Sequence, residues 1–318
     1  MFAAMSTDWN AVSSGRERTE WEREKLFSEG GRFVHLHTPP LETDMIYKNK
    51  EERCVSMAYM AIAARETHVD ILAYALMSNH FHFIVRGENA EDFFDAFIRR
   101  LGQYLSWHGR PGVVNRLTAN STEITSLKQL RDEIAYVIRN PFVVREDVHA
   151  FAYPWTSGFL YFNPFLAVLA TTPIDGMSIQ RKREITKSKD ISLPKGLTLL
   201  GSFVNPASFV NYKLVEAIFP SARQFVQWTL KHVEAQVETA MRLGESPTLT
   251  EEELLSITLK LCRTEAGVSK TKDLNDTQRF HLVKKLKYDY HASNGQIARL
   301  LHIPLKDVHA LFPYGNNK

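Results

Sequence analysis

Extended runs and helical runs alternate over the first half of this chain, and helical periodicity alone fills its last third. The order is strand, helix, strand, strand, helix, with a loop or further short strand after it. That order predicts an α+β protein: a ferredoxin-like antiparallel sheet with helices, followed by an all-helical C-terminal domain. Three observations carry the prediction. The stretch ILAYALMSNHFHFIVR, from Ile71 to Arg86, reads as two extended runs around a polar turn at Ser78-Asn79. Apolar residues recur at helical spacing on both sides of it. Beyond residue 201 no alternating run of comparable length occurs.

The elements follow in order. Residues 14–28, SGRERTEWEREKLFS, are highly charged and predict a solvated helix or arm, which Gly30-Gly31 breaks. Arg32 to Thr38 alternates like a strand, and Pro39-Pro40 stops it. From Asn49 to His68, the positions Val55, Ala58, Tyr59, Ile62 and Ala63 share one helical face. After the double strand, Ala90 to His108 carries Phe93, Phe94, Phe97, Ile98, Leu101, Tyr104 and Leu105 along one side. A loop or short strand, GVVNRLTANST, comes next. A third helix spans Ser126 to Asn140, where Pro141 should end it, because proline disfavours the helical conformation at the residue before it. Residues 166–200, rich in Lys, Arg, Thr, Ser and Pro, read as a linker. Helices are then expected over Phe209–Ile218, Ala222–Leu243 and Thr250–Arg263. Three short helices close the chain: residues 277–290, NGQIARLL and LKDVHALF, with His302-Ile303-Pro304 as the last turn. The spacing over 277–312 is that of a helix-turn-helix, and equally that of a small structural three-helix bundle. The expected organisation is therefore a charged arm at 1–30, the α+β domain at 31–165, the linker, and a helical domain at 201–318.

Composition narrows the function classes. At 318 residues there is room for two domains, and 44% hydrophobic with 24% charged residues is ordinary for a soluble globular protein. No apolar run approaches the roughly 20 residues that cross a bilayer. The N-terminal residues lack a basic start followed by an apolar core, so no secretory signal is expected. Cys54 and Cys262, far apart, predict a reducing, cytoplasmic setting and are too few for a cysteine-based zinc site. A net charge of +3 permits nucleic-acid binding without demanding it.

Chemistry concentrates at His80-Phe81-His82. Alternate residues of a strand share a face, so both imidazoles project together while Phe81, Phe83 and Val85 point the other way. Such a pair is half of a metal site, although on a strand it is more often structural. His35-Leu36-His37 is a second pair without an obvious partner, a decoy or at most an outer contributor. Tyr136 and Asn140, four residues apart, share a face of the third helix. A phenol forms covalent intermediates when activated, and an amide oxygen is a hard, neutral ligand suited to Mg2+ or Mn2+. Each residue also has an ordinary structural role: a tyrosine packed on a sheet, an asparagine closing a helix before proline. Tyr104 and His108 repeat the spacing, but Tyr104 falls in an apolar stripe.

MSNHFHFIV is similar to the signature of HUH single-tyrosine transposases, especially the REP-associated type. IAYVIRNPFVV resembles that family's second signature, a tyrosine followed three residues later by Asn-Pro, and AYPWTSGFLYF resembles its Tyr-Pro-Trp tail. The likeness covers residues 31–165, which it identifies as an HUH catalytic domain. It implies that His80 and His82, with Asn140, bind a divalent metal, Mg2+ or Mn2+. It implies that Tyr136 attacks single-stranded DNA, leaving a 5′-phosphotyrosine and a free 3′-hydroxyl, and that strand transfer reverses the attack. Homodimers acting on hairpin-forming ends are implied as well. Two departures stand out: Ser78 replaces a proline, and only VVNRL remains of an aromatic, Arg-rich segment between the second and third helices. Arg86, Arg99, Arg100, Trp107 and Arg139 are the candidate contacts to single-stranded DNA, where basic groups and stacking aromatics combine. The C-terminal half lies outside the likeness and is a candidate reader of duplex DNA. The alternative expectation is a nucleic-acid-binding protein that kept the sheet and lost the chemistry. Histidines that precede a single candidate tyrosine set the chain apart from relaxases and replication initiators.

Overall fold

The structure is a computed structural model and describes residues 18–39, 45–114, 117–144, 150–231, 233–245, 249 and 251–313. The first part of the expected arm, Asn115 and Arg116 of VVNRL, His232 and Thr250 lie outside the described residues. Two units are distinguished: one holds residues 1–142 and 147–232, the other 143–146 and 233–318.

In the first unit, α1 (Glu20–Ser28) opens with a capping box, in which Thr19 and Glu22 satisfy each other's backbone N–H groups. The expected strand follows as β1 (Phe33–His37). Next, α2 (Lys50–Thr67) is capped by the Asn49 side chain and ended by His68 in the left-handed region, φ 55°. Then come β2 (Asp70–Leu76), β3 (Phe81–Arg86), α3 (Ala90–Trp107) and a short β4 (Asn120–Glu123). The sheet order is β2-β3-β1-β4, and every neighbouring pair is antiparallel. Each crossover, β1–α2–β2 and β3–α3–β4, thus skips one intervening strand.

The two faces of the sheet bury different sets of residues. Val34, Leu36, Phe81, Phe83 and Val85 join Met57, Phe93, Phe94, Phe97 and Leu101 of α2 and α3. Phe83 meets Phe93 and Phe97 edge-to-face, both with ring centroids 5.4 Å apart. Each such ring, fully buried, contributes roughly 1.5–3 kcal/mol. On the opposite face Leu72, Ala73, Ala75 and Ile84 pack with Leu130, Ile134, Val137 and Ile138 of α4 (Leu127–Val144). The helix α4 runs through Pro141 instead of ending at Asn140. Proline lacks one N–H, and near the end of a helix only that single bond to the preceding turn is lost.

The segment AYPWTSGFLYF seals the free edge of β2. Leu76 N–H donates to the Trp155 carbonyl at 2.9 Å, and Ser157 N–H to the Tyr74 carbonyl at 3.1 Å. The Tyr161 hydroxyl adds a bond to the Leu72 carbonyl at 2.6 Å. An edge strand covered in this way is closed to pairing with another chain.

The stretch read as a linker carries structure. It holds β5 (Thr171–Pro173), α5 (Ile179–Thr186) and β6 (Thr198–Leu200), and with β7 (Phe203–Val204) the strands form a second antiparallel sheet in the order β5-β6-β7. A polar composition hid it because few residues anchor it: Ile174, Ile185, Leu197 and Leu199 reach the α2–α3 core. The Tyr59 hydroxyl also donates to the Thr186 carbonyl at 2.8 Å. The next helices, α6 (Tyr212–Ile218) and α7 (Ala222–Lys231), belong to this first unit, with Leu214, Val215, Ile218 and Phe225 in the α4-side core. The helical part beyond residue 201 is therefore divided between the units.

The second unit contains α8 (Val233–Arg242), α9 (Glu251–Thr264), α10 (Asp276–Tyr288), α11 (Asn294–Leu301) and α12 (Leu305–Leu311). Its core gathers Leu254, Cys262, Leu282, Leu286, Ile297, Leu301 and Val308. Capping boxes start α10 at Asn275 and α11 at Ser293, and His302 with φ 53° turns the chain into α12. Among the described residues, no helix is long and apolar enough to cross a membrane.

Candidate functional site

The register of β1 on β3 brings the two histidine pairs together. His37 lies opposite His82 and His35 opposite Ile84, and directly opposed residues share a face. His35, His37 and His82 therefore all lie on the α4 side, fully or almost fully buried. His37 stacks on His82 with centroids 6.0 Å apart. His80, just before β3, is half-buried; its Nδ1 is 2.9 Å from Asn79 Oδ1, and its ring is 5.0 Å from that of His82.

The helix α4 lies over this face. Ser126 starts it, its hydroxyl accepting from Gln129 N–H at 3.1 Å. Glu133, Tyr136 and Asn140 follow at spacings of three and four, which aligns them along one stripe. Asn140 Nδ2 is 3.2 Å from His82 Nε2. The Tyr136 ring stands edge-on to His82, centroids 5.7 Å apart and planes at 82°. The structure thus brings His80, His82, Tyr136 and Asn140 into one cluster. Tyr136 retains 8% exposure.

Behind His82 lies a line of polar contacts. His82 Nδ1 is 3.2 Å from His35 Nε2, and His35 Nδ1 is 3.0 Å from Glu133 Oε2. Glu133, at 0% exposure, accepts at Oε1 from the Gln129 side-chain amide at 2.8 Å. His35, read in the sequence as a decoy or at most an outer contributor, thus touches both His82 and Glu133. Glu133 and Gln129 had escaped notice. A signal existed: Glu133 stands three residues before Tyr136 and seven before Asn140, on the same helical stripe, at a position that apolar residues would otherwise fill.

The rival tyrosine sits elsewhere. Tyr104 is buried in the α2–α3 core, its ring 4.2 Å from His108, and burial pushes its phenol up to about 12. A phenol held protonated in that way is a poor nucleophile.

The expected DNA-contacting residues are dispersed. Arg86 pairs with Asp70 at the β2–β3 end. Arg100 binds Glu66 at 2.6 Å and Asp190 at 3.2 Å. Arg99 is 58% exposed and lies 3.5 Å from Glu66. Trp107, at the end of α3, is 63% exposed. Arg139 is 3% exposed and belongs to the interior. Of the five, Arg99 and Trp107 present substantial surface to solvent.

Among the described residues, no group of three or more His, Cys, Asp or Glu side chains is arranged to hold a metal ion. No protein-family profile matches the chain, and no curated protein matches it. Among solved structures, that of the REP-associated tyrosine transposase bound to a REP hairpin is similar, with a TM-score of 0.36 and 13% identity over 47% of this chain and 86% of the other.

Proposed function

We propose that this protein cleaves single-stranded DNA and rejoins it through a covalent tyrosine–phosphate intermediate, as a transposase of the HUH single-tyrosine type. One observation carries the reading: Tyr136 and Asn140 of α4 meet His82 of β3, across a sheet whose two crossovers each skip one strand. That strand order supports a ferredoxin-like nuclease domain. The histidine signature and the tyrosine signature, separated by more than fifty residues in sequence, converge on one imidazole.

The donor set suits a divalent cation. Asn140 is within reach of His82 Nε2, and turning its amide about the Cγ axis exchanges nitrogen for oxygen, a hard donor. With Nδ1 engaged by Asn79, His80 carries its lone pair on Nε2. His80, His82 and Asn140 would hold Mg2+ or Mn2+, and the bound cation supplies polarisation of the scissile phosphodiester. Tyr136 Oη attacks phosphorus; the bond to the 3′ oxygen breaks, that oxygen takes up a proton, and the phenol proton is lost. The products are a 5′-phosphotyrosine and a 3′-hydroxyl. In strand transfer a 3′-hydroxyl attacks the phosphotyrosine, the Oη–phosphorus bond breaks, and the phenol returns. Arg99 and Trp107 are the exposed residues that would follow the strand, and hairpin-forming ends bound by a homodimer are the proposed substrate. The second unit, with α10 to α12, is the proposed reader of flanking duplex DNA.

A second reading has its own support. Tyr136 is 8% exposed, as in a binding protein that lacks the chemistry. Both readings predict binding to single strands, so the separating measurement is covalent capture. Purified protein is mixed with single-stranded, hairpin-containing oligonucleotides and Mn2+, and adducts are resolved on denaturing gels. The wild type and Tyr104→Phe form a DNA adduct that Tyr136→Phe lacks. An adduct retained by Tyr136→Phe rejects the assignment.

A further inference from the structure

We propose that Glu133 and His35 are positioning residues that fix the tautomer of His82, keeping its Nε2 lone pair available to the metal. The inference rests on the metal site proposed above and goes further, because it assigns a role to residues outside that site.

The polarity of the buried line is set at its far end, by the backbone. Thr125 N–H donates to Gln129 Oε1 at 3.0 Å, so the Gln129 amide cannot turn without losing that bond. Its nitrogen therefore faces the other way, donating to Glu133 Oε1 at 2.8 Å and to the Glu123 carbonyl at 3.3 Å. Glu133, with acceptor oxygens on both sides, requires a proton on His35 Nδ1, 3.0 Å from Oε2. A neutral imidazole protonated at Nδ1 has its lone pair on Nε2. In that neutral form His35 Nε2 accepts, and its partner 3.2 Å away, His82 Nδ1, donates. That leaves the lone pair of His82 on Nε2, the nitrogen that faces Asn140. Each step follows from the one before, from the backbone N–H of Thr125, just ahead of α4, to the metal-facing atom. Metal-ligating histidines are ordinarily oriented by a carboxylate or carbonyl on the other ring nitrogen. Here a second histidine is interposed between the carboxylate and the ligand.

The Glu133→Gln variant reverses the line. The Gln129 amide, held by Thr125, keeps donating, so the oxygen of the new amide faces Gln129 and its nitrogen faces His35. His35 then accepts at Nδ1 and carries its proton on Nε2; His82 accepts at Nδ1 and carries its proton on Nε2. The metal-facing lone pair is capped although no ligand has changed.

The test uses metal-free full-length protein with labelled histidine, in which nitrogen NMR shifts distinguish protonated from unprotonated ring nitrogens. In the wild type, His82 is expected to be protonated at Nδ1; protonation at Nε2 overturns the inference without recourse to any variant. In Glu133→Gln the His82 proton moves to Nε2, and Mn2+ affinity, measured by titration calorimetry with the metal alone, falls about 10–100-fold. An unchanged tautomer, or a changed tautomer with unchanged Mn2+ affinity, also overturns it. If Glu133→Gln does not fold, the wild-type tautomer decides. The nuclease reading fails separately: it falls if Tyr136→Phe still forms the adduct, a result that leaves the tautomer and the Mn2+ titration untouched.

Discussion

Arg131 holds α4 in place, and its loss should be felt throughout the first unit. Its guanidinium donates twice to the Ile218 carbonyl, at 2.8 and 2.6 Å. It also binds both carboxylate oxygens of Glu20 on α1, at 2.6 and 3.1 Å. The group is almost fully buried and lies 5.7 Å from the centre of the Trp228 ring. Arg131→Met keeps most of the aliphatic stem and removes the head. The Ile218 carbonyl then loses a charged donor in a buried setting, at a cost of about 1.5–3 kcal/mol. Glu20, largely exposed, is rehydrated, and its part of the pair adds about 0–1 kcal/mol. The sum is about 1.5–4 kcal/mol, which for a unit of this size lowers the Tm by roughly 3–16 °C. The loss should also depend on pH. The Arg131 hydrogen bond holds the Glu20 carboxyl below its ordinary value of 4.5. A depressed carboxylate stabilises above that ordinary value and stops doing so as pH falls through the folded-state value. The gap between variant and wild type should therefore narrow in acid. Thermal denaturation at pH 7 and at acidic pH measures both effects. Arg99→Met, which removes an exposed arginine 3.5 Å from Glu66, is the control and should fall within about 0.5 kcal/mol of wild type. If Arg131→Met unfolds no more easily than Arg99→Met, the buried guanidinium does not anchor α4 and the reasoning fails.

Two further predictions concern the scaffold. Glu91 is held at about 2 by its hydrogen bonds to Arg32, assisted by the Ser121 hydroxyl, and this joins α3 to β1 and β4. Its stabilising contribution is complete above the ordinary 4.5 and vanishes as pH falls toward 2. Glu91→Gln should cost about 0.5–1 kcal/mol at neutral pH, as befits a half-exposed pair, and nothing in strong acid; urea midpoints that differ equally at both pH values would contradict this. Gly158 packs behind α4, where an added Cβ would lie 2.8 Å from Ile138 Cγ2 and 3.1 Å from the Ala150 carbonyl oxygen. Gly158→Ala should cost about 1–3 kcal/mol through overpacking, and an unchanged urea midpoint would show that the site yields.

Local pattern made much of this molecule readable. Alternation located β1 and β3, and helical spacing located α2, α3 and α4; that Tyr136 and Asn140 lie against His82 is set by the packing of α4 on the sheet. What escaped depends on contacts distant in sequence. His35 acquires its partners only through the pairing of β1 with β3 and the approach of α4, at separations of 47 and 98 residues. The small second sheet escaped because short strands with three residues or fewer carry no period to detect. The end of α4 was misread because a rule about proline at one position was outweighed by the packing of the helix that contains it. The division near residue 232 escaped because α6 and α7 have the same apolar spacing as the helices that follow, and spacing does not say which core a helix joins.

The register of β1 against β3 has one more consequence. Val34 and Leu36 alternate with Phe33, His35 and His37, and Phe81, Phe83 and Val85 alternate with His82 and Ile84. A slip of one residue in the pairing would turn imidazoles into the oil beneath α2 and α3 and bring leucine and valine up to α4. The apolar face thus acts as the ruler for the polar one. Nothing on the histidine side is needed to keep its members aligned, because misalignment is penalised on the far side of the sheet. Changes among the histidines can accumulate without disturbing the alignment that puts them in contact, whereas a change of shape at Leu36 or Phe83 would reach them from the opposite face of the sheet.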